Sequence, residues 1–241
     1  MTERTLVIFA KPAEPGSVKT RLTERLSEEQ AASLYTAFLT DLADMLATYR
    51  ADSIEDVELI LAHTGPSDHP SFAPFHDHGF SPRRQVGADL GERMDAMISE
   101  ALCDGAQQVI VIGSDSPTLQ PAHLDRAFER LNTSDVVLGP SFDGGYYLVG
   151  MEEAHPEVFQ EINWSTPRVL DQTMRRADDA GLVYALLEFW YDVDTPRDLD
   201  RLWQHLHHFR RTRDRPVAPE TYEQIATQLD HPKHIYDRDD Q

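Results

Sequence analysis

Short apolar runs alternate with stretches of helical periodicity along almost the whole chain, and few folds accommodate that pattern. Thr5–Ala10, Val57–Ala62, Gln108–Ile112, Asp135–Gly139 and Leu182–Leu187 read as strands, with Tyr146–Val149 as a sixth. Between them the spacing predicts helices. One is opened by a Ser27/Gln30 capping box and carries Ala31, Leu34, Phe38, Leu42 and Met45 on one stripe. Leu90–Leu102 is amphipathic, and another helix runs from Pro121 to about Leu131. A fourth is capped by Ser165, carries Pro167 in its first turn and stops at Gly181. A fifth starts at Thr195-Pro196-Arg197-Asp198 and continues to about Arg211. His63–Pro82 holds four of the 15 prolines and reads as loop. Strands separated by helices need crossover connections, so the sheet is expected to be mixed but mostly parallel and covered on both faces. The expected fold is a three-layer α/β/α domain over residues 1–211, followed by a polar extension over 212–241. In such sheets ligands bind at the carboxyl ends of the strands, so the loops that follow strands are where chemistry belongs.

Composition narrows the function. With 241 residues, 40% of them hydrophobic, the chain can bury one sizeable core. Its apolar runs are far too short to span a bilayer, and Leu6–Ala10 is too short for a signal segment. The single cysteine, Cys103, excludes an internal disulfide and fits the reducing cytoplasm; it reads as a packed thiol. A formal net charge of −20 argues against nucleic acid and anionic membranes as partners, because both need a basic surface. Such an acid-rich surface also suits high salt, where self-repulsion is screened. Lysine is scarce: Lys11, Lys19 and Lys233 stand against 19 arginines. Two of those three lysines fall in one loop.

That loop, Lys11 to Leu22, follows the first strand and leads into a helix. Cations and backbone amides placed there suit a polyphosphate, although no glycine directly precedes Lys19 as a Walker loop would require. A second constellation, Gly113-Ser114-Asp115-Ser116-Pro117, follows the most apolar strand; Asp115 is placed to hold Mg²⁺ bridging phosphates, or to form a turn before Pro117. A third is Asp192-Val193-Asp194-Thr195-Pro196. The strand period points both aspartates to one side, and Thr195 already serves as the helix cap. In Gly139 to Tyr147, Asp143-Gly144-Gly145 reads equally as a hairpin turn or as a close approach to an acceptor. In Gln85 to Met94, Gly87, Asp89 and Arg93 suit base or ribose contact, with helix capping by Asp89 as the structural alternative. Trp164-Ser165-Thr166 borders an acceptor pocket or anchors a helix. His205, His207 and His208 read as surface residues without the further ligands a metal set needs, and Ser114 and Ser116 lack a hydrolase elbow.

Together and in this order, these segments resemble a bacterial family of GT-A-type transferases associated with radical-SAM proteins, within the nucleotide-diphospho-sugar transferase superfamily. Phe9-Ala10-Lys11, Lys19-Thr20-Arg21-Leu22, Gly87–Met94, Gly113–Pro117, Asp143–Tyr147, Trp164-Ser165-Thr166 and Asp192–Asp198 carry the resemblance, over about residues 5–205. The family is similar to 2-phospholactate guanylyltransferase, which has a comparable Lys-x-Arg-Leu segment, and more distantly to molybdenum cofactor guanylyltransferase. The resemblance implies a GT-A, Rossmann-like fold and a metal-dependent transfer from an NTP to a small-molecule acceptor. Lys19 and Arg21, with the amides at Gly16, would cradle the phosphates, and Phe9, Ala10 and Lys11 would line the nucleotide. Asp115 and Asp194, with Asp192 nearby, would hold Mg²⁺ or Mn²⁺. Gly87, Asp89 and Arg93 would face the nucleoside, and Asp143, Gly144, Gly145 and Trp164 the acceptor. Two other readings stay open: glycosyl transfer from a nucleotide-sugar on the same fold, and a non-catalytic nucleotide-binding module.

Overall fold

A computed structural model describes residues 3–228. Its centre is a seven-stranded sheet in the order β3-β2-β1-β4-β6-β5-β7. The strands are β1 (Arg4–Ala10), β2 (Val57–His63), β3 (Ser81–Arg84), β4 (Gln108–Gly113), β5 (Val136–Pro140), β6 (Tyr146–Met151) and β7 (Tyr184–Leu186). The helices are α1 (Glu28–Asp52), α2 (Ala73–Asp77), α3 (Leu90–Cys103), α4 (Pro121–Leu131), α5 (Val169–Ala180), α6 (Pro196–Thr212) and α7 (Pro219–Gln228). β6 alone runs antiparallel to its neighbours β4 and β5. The other pairings are parallel.

The strands are continuously apolar because both sheet faces are covered. Alternation along β1 separates the faces: Leu6 and Ile8 enter one core with residues of α1, α4 and α6, while Val7 enters the other with Met94, Met97 and Ile98 of α3. Leu59 and Leu61 of β2 against Ile60 and Ala62, and Ile110 and Ile112 of β4 against Val109 and Val111, divide in the same way. The Ser27/Gln30 capping box forms as the sequence predicts, and Thr195 caps α6 as expected, with the Asp198 side chain closing a second box.

Four expectations need correction. His63–Pro82 is not all loop: a 3₁₀ turn at Pro70–Phe72, helix α2 and strand β3 lie within it. Phe72, Phe75 and Phe80 are buried there, and β3 tolerates Pro82 because it is an edge strand. Ser165 does not cap α5, which begins at Val169; Ser165 adopts a left-handed conformation, and the turn is held by Thr166 accepting from the Val169 amide and by Gly144 accepting from the Leu170 amide. Cys103 is exposed at the end of α3 rather than packed. His205 and His207 are not simple surface residues: His205 packs on Trp190, Tyr191 and Phe209, and His207 on Trp203 and Tyr222.

Beyond Thr212 the chain turns back. Helix α7 lies on α1, where the buried Asp41 carboxylate accepts the amides of Glu220 and Thr221 at 3.0 and 2.8 Å. Lys233 and residues 229–241 of the extension lie outside the described residues. Among the described residues, no helix is long and apolar enough to cross a membrane.

Candidate nucleotide and metal site

From β1 the chain moves outward to β2 and β3, then returns to β4 on the other side of β1. The crevice between β1 and β4 is therefore the topological switch point, where open α/β sheets bind their ligands. The Lys11–Lys19 loop leaves one side of it and Ser114–Ser116 the other. The loops after β3 and β5, and the segment after β7, emerge at the same edge of the sheet.

One side chain ties this edge together. The Lys19 Nζ lies 2.5 Å from Asp115 Oδ1 and 3.1 Å from Asp194 Oδ1. The three residues are 96 and 175 positions apart in the chain. The Lys19 side chain is only 3% exposed, whereas Asp115 and Asp194 remain 46% and 37% exposed. Its backbone is left-handed (φ 48°) at the start of the 3₁₀ turn Thr20–Glu24, which aims the side chain inward. There the ammonium lies 5.7 Å from the Tyr35 ring centroid and 5.4 Å from that of Phe38. Burial by itself pulls the lysine pKa down, but the Asp115 and Asp194 carboxylates outweigh it, and the net shift is upward. Lys19 is thus firmly cationic.

The carboxylates are themselves held. The Val193 amide donates to the Asp115 carbonyl at 2.9 Å, which stitches the third constellation to the second. Tyr191 and Val193 are buried and Asp192 and Asp194 only partly so, giving the alternation expected from sequence although the segment is outside the sheet. Ser116 Oγ lies 2.7 Å from Asp192 Oδ1 and 2.9 Å from the Tyr191 carbonyl, so its one proton is offered to two acceptors. Burial, and then the nearby Asp115 charge, raise Asp192 to about 7, against the lowering effect of the Ser116 hydroxyl; Asp143 adds to the rise. The four carboxylates Asp115, Asp143, Asp192 and Asp194 therefore share one neighbourhood.

The remaining expected residues distribute around this centre. Ala10 is buried at the end of β1 and Phe9 is partly buried against the second core. Lys11 is exposed, and its amide donates to the Tyr35 hydroxyl. Gly16 is exposed with φ 75°. Arg21 is 71% exposed, its guanidinium 3.9 Å from Asp194 Oδ2. Asp89 caps α3, accepting the Glu92 amide at 2.9 Å, which is the structural alternative named for it. Arg93 folds back to donate to the Gly87 carbonyl at 3.1 Å. Asp143 accepts from the Ser141 hydroxyl and from the Gly145 amide, closing the β5–β6 turn. Gly144 has φ 93° and lies against the Pro167 backbone. Trp164 closes over Gly91 of α3 and meets the Tyr146 ring edge-on.

Tyr35 was not singled out by the sequence, and Ser116 was named there without its bond to Asp192. The Tyr35 hydroxyl bonds Ser114 Oγ at 2.6 Å, directly beside Asp115, and burial pushes its pKa up to about 12. Its only sequence signal was a place on the apolar stripe of α1, where it resembles any core aromatic.

The carboxylate pair suits a hard divalent cation. Two oxygens already converge on one positive charge, and both carboxylates reach solvent. Among the described residues, no three His, Cys, Asp or Glu side chains form a ready cation cage. The remaining ligands would come from water and substrate phosphates, as Mg²⁺ sites commonly arrange.

Comparison with known proteins fits this geometry. The family model described as "Uncharacterized protein conserved in bacteria (DUF2064)" matches residues 45–166. The chain belongs to this family. A solved structure from Desulfovibrio desulfuricans G20, assigned as a nucleotide-diphospho-sugar transferase, is 33% identical with a TM-score of 0.80, covering 94% of this chain and 95% of that one. The 2-phospho-L-lactate guanylyltransferase of Methanopyrus kandleri is 28% identical over 193 residues, 78% of this chain and 85% of its own length. Its counterpart from Methanocaldococcus vulcanius is 23% identical over 207 residues, 83% of this chain and 85% of its own. These relatives place the chain among the transferases of the GT-A fold.

Proposed function

We propose that this transferase moves a nucleoside monophosphate from an NTP to a small phosphorylated or hydroxyl-bearing acceptor and releases pyrophosphate. The observation that carries the reading is the convergence of Asp115 and Asp194 on the Lys19 ammonium at the β1/β4 switch point. The two curated relatives, both guanylyltransferases, support nucleotidyl transfer over other chemistries of the fold.

In this reading the triphosphate lies over the Lys11–Arg21 loop. The exposed Arg21 guanidinium and the Gly16 amide meet the β- and γ-phosphates, with Lys11 at the rim. Gly87 and Arg93 face the nucleoside. Asp89 contributes by holding the α3 N-terminus, since its carboxylate is engaged there. Asp115 and Asp194, with Asp192 beside them, hold the divalent cation, which when bound neutralises phosphate charge at the reacting centre. An acceptor oxygen, oriented by Asp143 on the Gly144-Gly145 turn near Trp164, attacks the α-phosphorus in line. The bond from that phosphorus to the bridging oxygen breaks, the electron pair leaves with pyrophosphate, and the proton of a hydroxyl acceptor passes to solvent. Positioning and charge neutralisation do most of the work in such transfers, so no dedicated base is needed.

A panel of four NTPs with Mg²⁺ and acceptors including 2-phospho-L-lactate tests this by pyrophosphate release. Asp115→Asn should lower the rate by about a hundredfold or more while the fold persists by circular dichroism. The D. desulfuricans structure, assigned as a nucleotide-diphospho-sugar transferase, favours a second reading, glycosyl transfer from a nucleotide-sugar. Nucleoside diphosphate released from a sugar donor, without pyrophosphate from any NTP, would establish that reading instead.

A further inference from the structure

The sequence reading assigns Lys19 to phosphate, yet its ammonium lies between the two carboxylates proposed as cation ligands and is almost wholly shielded from solvent. A lysine dedicated to phosphate would present its amine to the crevice. Here the amine is drawn to the convergence point of Asp115 Oδ1 and Asp194 Oδ1, and two aromatic rings back the ammonium. A divalent cation bridging the same two oxygens would need nearly the same point in space. Two positive charges cannot share it, because their repulsion at such separation is severe in a partly dehydrated site.

We propose that Lys19 is an internal placeholder cation: it holds Asp115 and Asp194 together when no nucleotide is bound, and a divalent cation enters only by displacing its ammonium. The displaced amine then needs a new anionic partner. The phosphates of an incoming nucleotide supply one, delivered at the same crevice. Lys19 thereby makes the free enzyme a poor metal binder and couples cation entry to the arrival of the nucleotide. By linkage, whatever the ammonium costs the cation in the free enzyme is returned when phosphate takes the ammonium away. The device also addresses the charge problem of the fold. Without an internal cation, four neighbouring carboxylates in a chain of net charge −20 would repel one another and splay the loops that carry them. This inference rests on the metal-dependent reading given above and goes beyond it.

The test measures Mn²⁺ binding to the nucleotide-free protein by electron paramagnetic resonance, which counts free Mn²⁺ without requiring turnover. Wild type is compared with Lys19→Met and Arg21→Met. Both variants remove one positive charge near Asp194, but only Lys19→Met vacates the position between the carboxylates. Lys19→Met should bind Mn²⁺ tighter than wild type by roughly tenfold or more, and Arg21→Met by no more than about threefold. Equal tightening in both variants would reduce the effect to net charge and overturn the placeholder role, as would no tightening in Lys19→Met. Thermal melts with and without Mn²⁺ guard against misfolding: a folded Lys19→Met should gain more melting temperature from Mn²⁺ than wild type does. Should Lys19→Met fail to melt cooperatively, Lys19→Gln, which keeps a polar head without the charge, takes its place in the same comparison. If no protein binds Mn²⁺ even with a non-hydrolysable NTP analogue present, the metal-dependent reading itself fails; if all bind it equally, only the placeholder role does.

Discussion

Two glycines with similar φ angles show how much the surroundings decide. Gly144 and Gly181 have φ 93° and 72°, and both sit where L side chains are disfavoured. A Cβ at Gly181 would meet nothing within 4 Å, whereas one at Gly144 would come within 2.3 Å of the Pro167 carbonyl oxygen, a backbone atom that cannot swing aside. Gly181→Ala should therefore cost about 1 kcal/mol, the left-handed penalty alone. Gly144→Ala should cost clearly more, on the order of 3 kcal/mol, and should displace the Asp143 turn from the Trp164 segment. Urea denaturation of both variants checks the ordering, and equal losses would mean that the Pro167 contact yields easily. The hairpin and close-approach readings of Asp143-Gly144-Gly145 were equally open in the sequence. The turn proves to be a hairpin joining two antiparallel strands, and the close approach at Gly144 is made by residues 167–170 of the same chain.

The docking of helix α7 on α1 depends on Asp41, a carboxylate at the centre of a helix stripe that would otherwise be apolar. Removing it by Asp41→Ala leaves the first amides of α7 without their cap and should cost about 1 kcal/mol. Amide exchange over residues 219–228 should rise before exchange elsewhere; unchanged protection would deny the latch. The group also carries a pH signature. Burial, acting against the helix amides, raises Asp41 from 3.8 to about 6. The native state therefore favours the protonated acid. Its contribution to stability is complete below the unfolded value and is lost as pH rises through about 6. Asp41→Asn cannot titrate, so the stability of wild type relative to this variant should fall between pH 4 and pH 7. A difference that stays constant or grows over that interval would contradict the shift.

Charge governs the molecule as a whole. Forty-two acidic residues against 22 basic ones leave strong mutual repulsion across the surface, concentrated further where four carboxylates meet at the sheet edge. Salt screens both the repulsion and the surface ion pairs, but with a net charge of −20 the repulsion is the larger effect. The melting temperature should rise between about 50 mM and about 1 M sodium chloride, because screening lengths shrink well below the spacing of surface charges. A flat or falling melting temperature would reject the role assigned to charge.

The α/β alternation, the Ser27/Gln30 box and the Thr195 cap could be read from residue order because each depends on neighbours a few positions apart, and the mostly parallel sheet follows from that alternation. Thr195-Pro196-Arg197-Asp198 starts a helix in nearly any context, and the apolar run in β4 has no stable place except a buried strand. Local rules also gave wrong answers where a tertiary contact outbid them. Ser165 has a cap's chemistry but sits in a left-handed turn held by Gly144 and Thr166, and Phe72, Phe75 and Phe80 anchor structure in a segment whose prolines conceal any period. The candidate site was legible as a set of acids and cations at strand ends, since loops after parallel strands must gather at one edge. Which partner each charge takes was not. The inward turn of Lys19 onto Asp115 and Asp194 depends on residues 96 and 175 positions away, on the rings of Tyr35 and Phe38, and on the strand order that brings β1 beside β4. Interactions across such separations exist only once the sheet has formed, because Coulomb attraction acts through distance in space and not along the chain.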